Sequence, residues 1–280
     1  MPARTRIVAV LAVAATAALA LTACSPGTSS SSSGSDGYVE KGKLTIATSQ
    51  PAYAPWVEDN KPQSGNGFEA AVAYAVADKL GFSKSDVKWV RDDFDKSIAP
   101  GPKDFDLNLQ QFSITAERKK AVDFSSPYYT TSQVVITTSK SKAADATSLA
   151  DLKGDLIGAA AGTTSYTDAV ADIAPSQQVQ VFNSNDDAVT ALKSGQVDAI
   201  VVDLPTGFYI TGAELDDGKI IGQLPAVKGD TGDQFGIVLP KGSKLTKKVS
   251  DAVDALQKDG TLAQLEQKWL NSQGNAPLLK

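Results

Sequence analysis

Three polar groupings and one cysteine stand where chemistry is possible. Arg118 follows Ser113-Ile114-Thr115-Ala116-Glu117 and precedes Val122-Asp123-Phe124. The planar fork of an arginine makes two parallel, charge-assisted hydrogen bonds to a carboxylate. The plainer expectation is a surface ion pair with Glu117 or Asp123 near a helix start. Asp203 closes the run from Val197 to Val202 and precedes Leu204-Pro205-Thr206. Aspartate there reads first as a helix N-cap. Thr163, Thr164 and Ser165 lie where a strand gives way to a helix. Free backbone N–H groups at such a turn attract an anion, although simple capping is an alternative. The chain has no histidine. That removes the commonest general base, the commonest zinc ligand and any Ser-His or Cys-His nucleophile. Hydrolase and metalloenzyme chemistry is therefore disfavoured, and no metal or other cofactor is expected.

The N-terminal end bears on the compartment. Arg4 and Arg6 precede an apolar run from Ile7 to Leu21, too short to span a bilayer comfortably but suited to an export signal. The segment Leu21-Thr22-Ala23-Cys24 looks like a lipobox, with residues 1–23 removed and Cys24 acylated. Cys24 is the only cysteine, so no intramolecular disulfide can form. Residues 24–37, rich in serine and glycine, read as a flexible tether. A net charge of −5 argues against nucleic acid or an anionic membrane surface as partner.

Strand-like and helix-like segments that must position these residues alternate from residue 44 onward. Strands are expected at Leu44 to Thr48, Val87 to Val90, Phe105 to Leu109, Leu156 to Ala160 and Val197 to Val202. The last is nearly continuous apolar sequence, as in a strand covered on both faces. Phe68, Val72, Val76 and Leu80 recur every four residues, which predicts a helix from Phe68 to Leu80 closed by Gly81. Further helices are expected at Thr163 to Ile173, Asp186 to Lys193, Leu245 to Leu256 and Leu262 to Leu270. This alternation indicates an α/β architecture.

Three stretches carry a resemblance. They are Ser113-Ile114-Thr115-Ala116-Glu117-Arg118 with Val122-Asp123-Phe124-Ser125-Ser126-Pro127-Tyr128-Tyr129; Ala161-Gly162-Thr163-Thr164-Ser165; and Gly195-Gln196-Val197-Asp198-Ala199-Ile200-Val201-Val202-Asp203. With Gly67-Phe68-Glu69 and Asp259-Gly260-Thr261-Leu262 they resemble the polar amino acid-binding family of ABC-transporter substrate-binding proteins, family 3, in its lipoprotein form. The resemblance covers about residues 43 to 270. It implies a type II periplasmic-binding-protein fold, two α/β lobes joined by a two-strand hinge. Residues 38–132 and 230–280 are expected in lobe 1, and 133–229 in lobe 2. It also implies an amino acid held between the lobes, with Arg118 on its α-carboxylate and Asp203 on its α-ammonium. Ser113, Thr163 and Thr164 would touch the same carboxylate, and Tyr53 and Phe94 would cover the side chain. Trp56 and Trp89 are expected in the core.

Departures from the family pattern bear on specificity. Gln110 and Gln111 stand where many relatives have small residues, and Gln50 where many carry an aspartate. A pocket with extra amides and few charges beyond Arg118 and Asp203 is expected, favouring a neutral polar amino acid. The implied partners are that ligand, an ABC permease and, through Cys24, the outer face of the cell membrane, with the body a monomer. Two other classes share the fold: a ligand-sensing accessory protein, and a dehydratase needing a positioned acid among Glu69, Glu117 and Asp203.

Overall fold

A computed structural model describes residues 37–225, 232–270 and 276–280. The expected signal segment, the lipidation site Cys24 and nearly all of the tether lie outside the described residues. In chain order the elements are β1 (Leu44–Thr48), α1 (Phe68–Lys79), β2 (Val87–Arg91), α2 (Phe94–Ile98), β3 (Leu107–Asn108), α3 (Arg118–Ala121) and β4 (Val122–Thr131). They continue with β5 (Gln133–Thr138), β6 (Ile157–Ala160), α4 (Thr164–Asp168), β7 (Gln180–Phe182), α5 (Asn185–Lys193) and β8 (Ala199–Asp203). The last are α6 (Leu204–Tyr209), β9 (Gly218–Gln223), β10 (Asp233–Pro240), α7 (Thr246–Lys258) and α8 (Thr261–Trp269).

Two five-stranded sheets result, ordered β2-β1-β3-β10-β4 and β7-β6-β8-β5-β9. In the first, β1 pairs in parallel with β2 and β3, while β10 runs antiparallel to β3 and β4. In the second, β6 pairs in parallel with β7 and β8, while β5 runs antiparallel to β8 and β9. Only Ser132 separates β4 of one sheet from β5 of the other, and the chain returns between β9 and β10. The fold is thus two α/β lobes joined by two crossing segments.

Strand alternation decides what each face buries, because successive side chains point to opposite sides. On β10, Phe235, Ile237 and Leu239 pack with Leu44, Ile46, Phe68, Val72 and Val76 under α1, α7 and α8, whereas Val238 faces Ala47, Phe112 and Phe124. On β8, Ala199 and Val201 join Ile157 and Val135, whereas Ile200 and Val202 join Val134 and Leu192. Each wholly buried large side chain contributes about 1.5–3 kcal/mol over leaving it exposed.

The four-residue period of α1 holds, since Phe68, Val72 and Val76 are all fully buried. The strand expected over Phe105 to Leu109 is shorter than its apolar pattern. Asp106 turns its carboxylate back onto the N–H groups of Val39 and Thr45, leaving Leu107–Asn108 as the paired piece. The helix expected from Thr163 to Ile173 is α-helical only to Asp168 and widens into a π turn over Ala169–Ile173. Residues 276–280 join the second sheet, not the first lobe to which their position in sequence had assigned them. Leu278 bridges Gln223, and Leu279 is buried with Ile221 and Leu224. Trp56 is buried in the core of the first lobe, and Trp89 packs against it.

Candidate functional site

The parallel strands β1, β2 and β3 all end on one side of the first sheet, and β6, β7 and β8 on the facing side of the second. Ligands bind beyond the carboxyl ends of strands in open α/β sheets. The residues just past these ends line one cleft of about 520 Å³. They include Ser49 and Gln50 after β1, Asp92 and Asp93 after β2, Gln110 and Gln111 after β3, Thr163 and Thr164 after β6, and Asn183 to Asp187 after β7. Tyr53, Phe94, Ser113, Arg118 and Asp203 complete the wall. All nine residues singled out in the sequence for ligand contact therefore line this cleft.

Arg118 is 8% exposed and has no ion-pair partner among the described residues. The acids that a surface pairing would use are engaged elsewhere, Glu117 with Lys120 and Asp123 with Lys241. Its guanidinium donates instead to two carbonyls, Ser113 O of one lobe and Gly162 O of the other, both at 2.8 Å. It also lies 5.3 Å from the centre of the Phe94 ring, which in turn stacks on Phe112. Burial makes this guanidinium hold its proton less tightly, and Asp233, Asp203 and Asp95 oppose that. A desolvated cation with carbonyl partners alone retains strong attraction for an anion.

Asp203 ends β8 and opens α6, but its side chain makes no N-cap bond. Antiparallel pairing sets it opposite Gln133, whose Nε2 donates to Asp203 Oδ1 at 2.7 Å. Burial and then the nearby Asp233 push the Asp203 carboxyl up to about 7, against the Gln133 bond and Arg118. Desolvation and like charge both disfavour the ionised form. Thr163 caps α4 by accepting from Tyr166 N, and Thr164 Oγ1 meets Ser113 Oγ across the cleft at 3.1 Å.

Gln111 sits at φ 53, a left-handed conformation unusual for its type. Glu69, fully enclosed, holds it there by accepting from its backbone N–H at 2.7 Å and from its side-chain amide. The Tyr128 hydroxyl also donates to Glu69. Burial pushes Glu69 up to about 7 despite these three bonds. Glu69 is thus committed to shaping the wall behind Gln111. Gln110 donates through Nε2 to Asn108 Oδ1 and Asp92 O, which fixes its amide orientation and leaves its buried Oε1 without a partner among the described residues.

Tyr53 donates to Asp186 at 2.7 Å and Trp56 Nε1 to Thr206 at 3.1 Å, both across the cleft. The lobes are therefore in contact at the mouth as well as at Arg118. The expectation of few charges beyond Arg118 and Asp203 is corrected, because Asp92, Asp93, Asp95, Asp186 and Asp187 also line the cleft. Taken singly these acids read as loop and helix-start residues. Their signal was positional, since the doublets Asp92-Asp93 and Asp186-Asp187 each follow a strand.

The profile of the bacterial extracellular solute-binding proteins, family 3, matches residues 44–272. The L-arginine-binding protein of Pseudomonas aeruginosa is 32% identical over 228 residues, 79% of this chain and 86% of that one. The L-cystine-binding protein TcyJ of Escherichia coli K12 is 31% identical over 239 residues, covering 83% and 84%. Among solved structures, an ancestral arginine-binding protein bound to arginine superposes with a TM-score of 0.66 at 31% identity, covering 82% of this chain and 98% of that one. The match to nearly the whole folded body and these relatives agree with the two-lobed geometry: the chain belongs to the bacterial extracellular solute-binding proteins of family 3.

Proposed function

We propose that this protein is the extracytoplasmic receptor of an ABC importer, and that it captures one α-amino acid with a cationic, hydrogen-bond-donating side chain. The observation that carries the reading is the buried Arg118, free of any ion pair among the described residues, in the same cleft as Asp203, a half-buried residue. An α-amino acid brings a carboxylate to the first and an ammonium to the second. In this reading Ser113 and the Thr163–Thr164 turn hold the carboxylate from either lobe, and Tyr53, Phe94, Gln110 and Gln111 surround the side chain.

The wall supports a basic side chain over the neutral one expected from sequence. Six aspartates and one arginine line the cleft, and a concentration of one charge sign attracts the opposite one. The buried Gln110 Oε1 needs a donor, which a guanidinium or ammonium supplies. Delivery to a permease and tethering through an acylated Cys24 complete the proposal, supported by family membership and by the Leu21-Thr22-Ala23-Cys24 segment.

Melting of ligand-stripped protein against single amino acids tests this, since a ligand of the native state raises the melting temperature by mass action. Arginine or lysine should give the largest shift, with glutamine and cystine smaller and Arg118→Ala insensitive. A larger shift with glutamine would restore the neutral ligand. The absence of any shift across the amino acids would overturn the amino-acid assignment.

A further inference from the structure

The hinge holds a feature that none of the roles above requires. Gln133, 4% exposed, starts β5 immediately after the crossing at Ser132. Its Nε2 lies 2.7 Å from Asp203 Oδ1 and 2.6 Å from Asp233 Oδ2. Its Oε1 accepts from the buried Ser165 at 2.7 Å, which fixes the orientation of the amide. An amide nitrogen carries two hydrogens, so each carboxyl receives one. The two acids come from different lobes: Asp203 ends β8 of the second sheet, and Asp233 begins β10 of the first, opposite Thr131. Two like charges are therefore brought onto one nitrogen in the closed arrangement and would part when the lobes open.

We propose that Asp233 and Gln133 are positioning residues of the binding machinery, and that the closed hinge holds a proton on Asp203, with Asp233 as the like charge that favours it, which the ligand's α-ammonium replaces. This rests on the reading of the cleft as an amino-acid site. Repulsion between the carboxyls opposes closure until a cation joins them. Either a proton or an ammonium fills that need. Arg118, the cation facing both acids, offsets them only in part and loses even that share when it pairs with the ligand's carboxylate. Glu69 of α1 also faces Asp203 and adds to the repulsion, and the Tyr128 and Tyr129 phenols of β4 sense the same charge. The upward shift of Asp203 to about 7 agrees with a proton resident near neutral pH. On binding, that proton leaves to buffer and the ammonium takes its place.

Titration calorimetry of the full chain with L-arginine, in buffers of different ionisation enthalpy, reads the proton directly. Proton release should be seen near pH 7, with affinity roughly tenfold weaker at pH 6 than at pH 8. In Asp233→Asn the like charge beside Asp203 is gone, so release should shrink and the pH dependence fall below about threefold. Small-angle scattering without ligand gives an independent arm. Wild type should be more compact at pH 5.5 than at pH 8, and Asp233→Asn equally compact at both. A wild-type radius that ignores pH, or an Asp233→Asn variant that keeps the wild-type pH response, would overturn the proposal. If L-arginine fails to bind at any pH, the cationic-ligand reading falls while the amino-acid reading stands or falls with the melting screen, and the scattering arm alone decides the fate of the hinge pair.

Discussion

Arg118 is held by two backbone carbonyls and one aromatic face, so its position does not depend on a carboxylate of the protein. Its removal should therefore act on binding more than on folding. Arg118→Ala is expected to weaken amino-acid binding by roughly 2–5 kcal/mol, the range for losing one partner of a buried charge pair. Arg118→Lys should fall between, because a lysine keeps the charge and loses the fork. Calorimetry checks both, and wild-type affinity in Arg118→Ala would remove this residue from the site. Asp203 makes a different prediction for the unliganded protein. Its pKa in the folded state, about 7, lies above the unfolded value near 4. The folded state therefore takes up the proton more readily, and the stability this gives is full below about pH 4 and lost as pH rises through about 7. The melting temperature of Asp203→Asn, relative to wild type, should rise between pH 5 and pH 8. A relative melting temperature that does not change with pH would contradict the assigned burial.

At the scale of elements, the start of α1 is the most constrained turn near the site. Gly67 has φ 101, and a Cβ there would lie 2.5 Å from Trp56 O and 2.7 Å from Val57 Cα. Both neighbours are backbone, so no side chain can move aside. Gly67→Ala should cost well over the roughly 1–2 kcal/mol of a left-handed residue alone. Gly260→Ala, at φ 80 with open space around it, should cost only about that amount. Thermal melts of the two variants compare them directly. Gly67→Ala should also weaken ligand binding, because displacing α1 moves Glu69 and with it the Gln111 turn. A continuous apolar run made β8 legible, but the run Val134-Val135-Ile136 of β5 was not among the expected strands. Nor was β10 legible, because Gly236 and the polar start Asp233-Gln234 interrupt its pattern. The first part of β4 was visible only as a motif, because its pairing with β10 is long-range and bulged.

For the whole molecule, opening of the lobes must break the bonds that cross the cleft. These include Tyr53 to Asp186, Trp56 to Thr206, Ser113 to Thr164 and Arg118 to Gly162. Trp56 thus becomes a reporter of closure. Ligand addition should change tryptophan fluorescence in wild type, and Trp56→Phe should lose most of that change while Trp89 and Trp269 remain. Equal signals from both proteins would show that the Trp56 environment is the same open and closed. The same closure should lower the radius of gyration on saturation with ligand.

What the sequence by itself determined was local. The α1 period, the glycine stop at Gly81, and the order of motifs around Arg118 and Asp203 are all short-range features, and these led to the family and to nine cleft residues. Tertiary structure decided which further side chains share that cleft and what state their charges hold. Asp92, Asp93, Asp95, Asp186 and Asp187 are ordinary loop and helix-start residues until the carboxyl ends of six strands in two sheets face each other. Gln133, Asp203 and Asp233 are 30 or more positions apart in the chain and meet only where the lobes cross. Desolvation and repulsion depend on distances through space, and spacing along a chain does not encode them.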